Sequence, residues 1–234
     1  MNGKIDILQI NGDLVDAQAI SRFNKVYRKS PMEEILIARQ YMIDLIEILQ
    51  PKKVIVNYGN HDLRFQNYLA KNLDTDLLEL MPKTSLELIF VDGFNHYNKE
   101  LHTKVHYDPL TDVFKDSGIE IVYNDTWFSF VGETIFVHPL AYSSGMLKTA
   151  EKAYRYFKDN DYFFDTIVMA HTHKTGHYDI GNSVIYEQGC CCETSKMDYA
   201  DGKLTPSQRE GFILVYQDKF GRLNEDKTHI VRLN

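Results

Sequence analysis

The chain has 234 residues with 44% hydrophobic and 25% charged side chains, a composition typical of a folded globular protein and not of a disordered, collagen-like or coiled-coil chain. Its formal net charge is -7, from 26 basic and 33 acidic side chains, which argues against tight non-specific binding to duplex DNA, because such binding needs Lys and Arg to neutralise phosphates. No apolar run reaches the roughly 18 residues of a membrane-spanning helix and the N terminus does not resemble a signal peptide, so we expect a cytoplasmic protein without a membrane anchor.

Strand signals occur along the whole chain. Short apolar runs bounded by turn residues predict strands at residues 5–10, 54–57, 119–123, 127–131, 134–137, 166–169, 183–187 and 211–217. Strands alternate with helices in the first half, and strands and hairpins dominate from about residue 119. This mixture predicts an α/β protein in which helices cover the outer faces of the sheets.

The clearest helix signal begins at Ser30, which is placed to cap the helix, with Pro31 at the first helical position and Glu33 three residues after the cap. Apolar residues with helical spacing follow, and Pro51 lies beyond the end. Residues 62–80 and 145–158 are predicted as a second and a third helix. Because the chain has no linker and no repeat, we expect one domain over residues 1–234.

All three cysteines are consecutive, at positions 190 to 192. Neighbouring residues are poorly placed to form a disulfide with one another, and a cysteine zinc site normally uses separated pairs. We therefore expect free thiols, buried or half-buried at a strand end, which suits a reducing compartment.

Five segments place a metal-capable side chain directly after a predicted strand, where a loop can direct it into a common site. They are Gly12-Asp13-Leu14-Val15-Asp16, Gly59-Asn60-His61-Asp62, Val137-His138, His171-Thr172-His173 and, more weakly, Glu187-Gln188-Gly189-Cys190. Each alone also fits a structural role, because Gly-Asp is common in turns and a single histidine is more often a hydrogen-bonding partner than a ligand. Together, their oxygen and nitrogen donors favour Mn, Fe, Zn or Ni over calcium.

The order of these motifs resembles the calcineurin-like metallophosphoesterase superfamily over nearly the whole chain: Gly-Asp-x-x-Asp, Gly-Asn-His-Asp, a strand-ending His and His-x-His. The resemblance implies a four-layer α/β/β/α sandwich of two mixed sheets flanked by helices. It also implies hydrolysis of a phosphomonoester or phosphodiester by a metal-activated hydroxide. Members of this compact type favour a nucleotide or a nucleic-acid end as the substrate.

The resemblance further implies the metal ligands. Asp13 would bridge two metal ions. Asn60, His138 and His171 would complete one metal site, and His173 would belong to the other.

The catalytic roles are implied in the same way. His61 would donate a proton to the leaving group. Asp62 would orient the His61 imidazole and Asp16 would brace the loop that carries Asp13, with helix capping as the alternative for both acids. Arg64 would neutralise a phosphate oxygen or would be an ordinary surface arginine.

The chain departs from the family pattern before Asp13. The family usually opens with Asp-x-His at the end of a first strand, but the residues before Asp13 contain no histidine, and Asp6 is their only acid. We therefore expect one tight and one weak metal site, with manganese preferred over iron, zinc or nickel. Several alternatives stay open: the larger piece of a split or truncated enzyme, a form whose N-terminal segment is encoded separately, a monometallic relative, and a catalytically impaired, metal-binding interaction module. The partners expected besides the substrate are a homo-oligomer or a complementing N-terminal segment.

A segment at residues 85–117 lacks the regular spacing of strand signals seen elsewhere in the chain and is rich in His, Asp and Lys. We predict an insertion near the site, acting as a cap that sets the choice of substrate.

Overall fold

The structure is a computed structural model that describes residues 5–22, 28–143, 145, 147–196 and 208–233. The chain divides into two compact units, Met1–Thr126 and Trp127–Asn234. Each unit combines a sheet with helices, so the predicted α/β class is confirmed.

The elements of the first unit are the strands β1 (Ile7–Asn11), β2 (Lys53–Asn57), β3 (Phe94–Asn98), β4 (Thr103–Tyr107) and β5 (Glu120–Asn124) and the helices α1 (Pro31–Leu49), α2 (Arg64–Asn72), α3 (Thr75–Leu78), α4 (Ser85–Glu87) and α5 (Leu110–Val113). The elements of the second unit are the strands β6 (Phe128–Val131), β7 (Thr134–Val137), β8 (Thr166–Met169), β9 (Thr175–Ile180), β10 (Ser183–Gln188), β11 (Gly211–Leu214) and β12 (His229–Arg232) and the helix α6 (Lys148–Asp159).

The first unit is built on a parallel three-stranded sheet in the order β1-β2-β5. The central strand β2 is buried on both faces, as expected where helical crossovers cover a parallel sheet. The carboxyl ends of the three strands lie in register at one edge, because Asn57 pairs with both Asn11 and Asn124. The loops that follow β1 and β2 therefore leave the sheet side by side.

Helix α1 forms the crossover between β1 and β2 and confirms the predicted helix. Ser30 caps it by accepting a hydrogen bond from the Glu33 amide at 3.5 Å, and Pro31 is the first helical residue. Its inward face is apolar and consists of Ile35, Ala38, Met42 and Ile46, all of them buried.

The predicted helix over residues 62–80 is wrong as one element, because the chain breaks into α2 and α3. Leu73 and Asp74 both have extended backbones, with ψ near 148° and 154°, and separate the two helices. The helix also begins later than predicted, at Arg64.

The predicted insertion over residues 85–117 has regular structure of its own. Helix α4 continues into a π-helical turn (Leu88–Asp92), followed by the β3–β4 hairpin and α5. Leu86, Ile89, Phe90 and Leu110 are fully buried, so part of the segment belongs to the core of its unit. Its role as a cap that sets substrate choice stays a prediction.

The second unit is built on a five-stranded mixed sheet in the order β6-β7-β8-β10-β9. The central strands β7, β8 and β10 run parallel, and β6 and β9 pair antiparallel at the edges. Helix α6 covers one face through Ala150, Ala153 and Phe157, and residues of β11 and β12 pack against the other. Both faces of β7 and β8 are therefore buried, which explains why their sequences are continuously apolar.

Helix α6 starts three residues later than the predicted helix over 145–158 and ends at Asp159. One residue of the predicted helix, Met146, lies outside the described residues. The cysteines follow β10 as free thiols; Cys190 is half-buried, as expected, whereas Cys191 and Cys192 are exposed. Among the described residues, no helix combines the length and the apolar character that crossing a membrane requires.

Candidate metal centre

The loop after β1 turns sharply at the predicted bridging ligand. Gly12 and Asp13 both adopt left-handed backbone conformations, with φ of 79° and 56°. This conformation is uncommon for a residue with a side chain, and it redirects the chain immediately beyond the strand end. The Asp13 carboxylate accepts a hydrogen bond from the His61 backbone N–H at 2.7 Å, which connects the loop after β1 to the loop after β2.

Asp62 forms hydrogen bonds to both of these loops. Its carboxylate is fully buried and accepts hydrogen bonds from the backbone amides of Asp13 and Gly59, each at 2.8 Å, and from that of Val15 at 3.4 Å. A carboxylate that accepts several backbone amides stabilises a loop strongly, because the bonds are charge-assisted. Asp62 therefore fixes the backbone position of Asp13.

Asp16 contacts the His61 imidazole, with 2.9 Å between Asp16 Oδ1 and His61 Nδ1. The contacts are thus the reverse of those that the predicted roles would require, since Asp16 lies against the imidazole and the Asp62 carboxylate lies against the amides of the Asp13 loop. A carboxylate only accepts, so Nδ1 carries the proton, and Nε2 is the nitrogen left for chemistry. His61 Nε2 lies 3.8 Å from Asp13 Oδ2.

Arg64 completes this cluster from the first turn of α2. Its Nη1 donates to the Asp16 backbone carbonyl at 2.6 Å and to Asp16 Oδ1 at 2.8 Å. The hydrogen bond from His61 holds the pKa of the Asp16 carboxyl below its ordinary value; partial burial opposes this, and the charges of His61 and Arg64 lower the pKa further. Asn60, the remaining predicted ligand on this unit, lies half-buried immediately before His61.

We expect Asp16→Asn to destabilise the folded protein modestly at neutral pH, by at most about 1 kcal/mol, because the carboxylate is 57% exposed and solvent screens its partners. Since the folded-state pKa is lowered, the contribution of Asp16 is present above the unfolded-state pKa and is lost as the pH falls through the folded-state value. Urea unfolding at about pH 7 and about pH 3 measures this, and the difference between variant and wild type should shrink at the lower pH. A difference that grows on acidification would contradict the assignment.

A row of three asparagines lies at the ends of β1, β2 and β5 and was not identified from the sequence. Asn57 Nδ2 donates to Asn11 Oδ1, and Asn124 Nδ2 donates to Asn57 Oδ1, both at 3.2 Å. Asn57 is fully buried, so these bonds satisfy amide groups that would otherwise be costly to bury. The sequence signal is that each asparagine is the last residue of its strand.

The second unit carries two histidines that follow neighbouring parallel strands. His138 follows β7, and His171 lies two residues beyond β8. His138 is only 1% exposed, and its Nε2 lies 3.2 Å from His171 Nδ1, with the two rings inclined at 72°. His171 has a φ of 72°, a left-handed conformation that departs from the extended path of the strand.

The geometry of this pair fits one divalent transition-metal ion. Two imidazole nitrogens that are each about 2.1 Å from an ion lie about 3.0 Å apart at a right angle and about 3.4 Å apart at the tetrahedral angle. The observed 3.2 Å lies between these values. A hydrogen bond between the rings is equally compatible with the distance, and it too requires one nitrogen without a proton, the form that binds metals.

His173 follows in the same turn. Its φ is 54°, and its backbone carbonyl accepts a hydrogen bond from the Arg209 amide at 2.7 Å. The predicted site residues thus form two sets. Asp13, Asn60, His61, Asp62 and Arg64 lie on the first unit, and His138, His171 and His173 lie on the second.

The family model of calcineurin-like phosphoesterases matches residues 1–175. Solved structures that match include an archaeal phosphodiesterase, with 12% sequence identity, 99% of this chain and 100% of that chain covered and a TM-score of 0.39. Another is a single mutant of Vps29 from Entamoeba histolytica, with 13% identity, 97% and 99% covered and a TM-score of 0.37. No curated protein matches the sequence.

Proposed function

Because the chain belongs to the calcineurin-like phosphoesterase family, we propose that it is a metal-dependent hydrolase of a phosphomonoester or a phosphodiester. The observation that carries the proposal is the imidazole pair of His138 and His171, whose nitrogens lie 3.2 Å apart within the part of the chain that the family model matches. A buried and a half-buried histidine at this separation suit a divalent transition metal, and the family is metal-dependent. The substrate class that we propose is a nucleotide or a nucleic-acid end.

The ligand assignment follows the order of the family motifs. We assign Asp13 as the bridging carboxylate, Asn60, His138 and His171 as ligands of one ion, and His173 as a ligand of the other. When bound, the ions supply a water of lowered pKa and neutralise charge on the phosphate oxygens. Manganese, iron, zinc and nickel are the candidate ions, because all four accept mixed oxygen and nitrogen donors. We propose manganese as the first of them to test.

The residues of the first unit supply the proton chemistry. Asp16 holds His61 Nδ1–H, so that a protonated imidazole presents Nε2–H to the departing oxygen of the ester. Arg64 fixes Asp16 through Nη1, and its other guanidinium nitrogens supply the proposed contact with a phosphate oxygen. Asp62 acts through the backbone of the Asp13 loop.

The alternative is a metal-binding interaction module, or a phosphoesterase whose activity depends on a further segment or a second copy of the chain. The observation behind it is that, within residues 1–234, fewer ligands are assigned to the second ion than to the first. Hydrolysis assays distinguish these functions, because a pure binding module loads metal without turning over an ester.

We expect about one tightly bound metal ion per chain, with a second ion binding weakly at high Mn²⁺ concentration. In the proposed assignment, Asp13, Asn60, His138 and His171 provide one ion with four ligands, whereas within residues 1–234 the second ion is assigned Asp13 and His173. Two protein ligands seldom hold a transition metal tightly. Metal analysis after dialysis, followed by a Mn²⁺ titration, measures both numbers. Two stoichiometric metals that resist dialysis would contradict the ligand assignment.

The class of substrate is tested with bis-p-nitrophenyl phosphate and p-nitrophenyl phosphate in the presence of Mn²⁺. A diesterase cleaves the first compound faster, and a monoesterase the second. A peptide carrying Asp-x-His, added to the same assay, should raise the rate if the second metal limits hydrolysis. An unchanged rate would remove the split-enzyme alternative.

A further inference from the structure

We infer that Glu187 is a positioning residue for the His171-Thr172-His173 segment and that it acts through the Thr172 hydroxyl. The inference rests on the proposed function, in which both histidines bind metal. Glu187 belongs to the weakest of the five segments that the sequence singles out, and the structure places its carboxylate against the Thr172 hydroxyl.

The contact between the two side chains is short and buried. Thr172 Oγ1 donates to Glu187 Oε1 at 2.8 Å, since a carboxylate can only accept. Thr172 is 7% exposed and Glu187 is 3% exposed. A hydrogen bond to a buried carboxylate is stronger than one between neutral groups, because the charge is poorly screened there.

The backbone around Thr172 needs such a restraint. His171 and His173, on either side of it, both have left-handed φ values, 72° and 54°. Left-handed conformations of residues other than glycine are sparsely populated and persist where the surrounding structure fixes them. Two hydrogen bonds hold Thr172 in place. Its backbone N–H donates to the Ala170 carbonyl at 2.9 Å, and its hydroxyl donates to the Glu187 carboxylate.

Glu187 is well placed to provide a rigid anchor. It lies on β10, which has paired neighbours on both sides, and it is in register with Met169 of β8 and with Gly176 of β9. Strand β8 leads directly into the histidine segment. The hydroxyl-to-carboxylate bond therefore ties the ligand-bearing turn to the centre of the sheet.

Thr172→Val tests the inference, because it removes the hydroxyl and nearly preserves the volume. We expect the affinity of the purified protein for Co²⁺, measured by visible absorption, to fall by about tenfold or more. Losses of this size are typical when a residue that orients a metal ligand without binding the metal is removed. Thr172→Ser and Glu187→Gln keep a donor and an acceptor and should stay within about threefold of wild type. Glu187→Met should match Thr172→Val, and the double variant should lose no more than either single one.

Thr166→Val is the matched control. Thr166 is also buried on this sheet, at the opposite end of β8, and its hydroxyl donates to Asp165 Oδ1 at the same distance, 2.8 Å. We expect Thr166→Val to lower the Tm of the metal-free protein as Thr172→Val does, with Co²⁺ affinity unchanged.

Equal Co²⁺ affinity in wild type and Thr172→Val would overturn the inference and leave the proposed function intact. Equal losses of affinity in Thr172→Val and Thr166→Val would also overturn it, since a general loss of stability would then suffice. A wild-type protein that binds no Co²⁺ would contradict the proposed function together with the inference.

Discussion

We expect His138→Ala to lose tightly bound metal and hydrolysis together, each by more than about 100-fold. The imidazole is almost completely buried, and its Nε2 lies 3.2 Å from His171 Nδ1. Its removal deletes one ligand of the proposed ion and leaves a cavity in its place. Replacing a residue that only orients a metal ligand lowers metal affinity about tenfold to 100-fold, and removing a ligand itself should lower it further. Metal analysis after dialysis and the rate of ester hydrolysis, measured on the same preparation, give both effects.

Two further histidine variants make this result specific. His61→Ala should lower hydrolysis by roughly a hundredfold to ten-thousandfold and keep the metal, because His61 is assigned to the leaving group. His177→Ala should change neither, since this exposed side chain stacks on Tyr186 on β10. Equal metal loss in the His61 and His138 variants would remove His61 from its assigned role.

We expect Asp62→Ala to destabilise the protein by about 3–5 kcal/mol. The variant leaves the backbone amides of Asp13, Gly59 and Val15 without their carboxylate partner, and each buried donor that loses its acceptor costs about 1–3 kcal/mol. Urea unfolding measures the loss. The released Asp13 loop should also bind metal more weakly, even in the fraction that stays folded.

Asp125→Ala is the control for a carboxylate on the same unit. Asp125 is 57% exposed and pairs with Lys83 at 2.9 Å, an arrangement worth no more than about 1 kcal/mol. If the two variants lost the same stability, Asp62 would have no special part in holding the loops.

Much of the second sheet is predictable because its central strands are buried on both faces. The sequence predicts β7 at residues 134–137 and β8 at residues 166–169, with the bounds that the structure has. Helix α1 is predictable because the cap, the proline and the apolar face agree. The ends of such strands are also where the sequence placed its candidate ligands, as at His138.

Other elements carry weak signals. Strands β3, β4, β9 and β12 were not predicted, since they contain many polar residues and pair at edges or in two-stranded sheets. In β4, for example, only Val105 and Tyr107 are apolar, and neither is fully buried. Propensity alone does not separate such segments from loops.

The contacts of Asp16 and Asp62 show what sequence adjacency misses. Asp62 is the immediate neighbour of His61 in the sequence, yet its carboxylate accepts bonds from the Asp13 and Gly59 amides. Asp16 is 45 residues away from His61, and the two meet only because β1 and β2 pair in parallel and bring their loops together. Long-range contacts of this kind follow from topology, which a single sequence specifies only indirectly.

The central claim is most directly tested by the rate of bis-p-nitrophenyl phosphate hydrolysis in protein stripped of metal with a chelator and then titrated with Mn²⁺. We predict no hydrolysis in the stripped protein, a rate that rises with Mn²⁺ and saturates, and no recovery for His138→Ala at the Mn²⁺ concentrations that restore wild type. Hydrolysis that survives chelation, or metal-loaded wild-type protein that cleaves neither this diester nor p-nitrophenyl phosphate, would contradict the account.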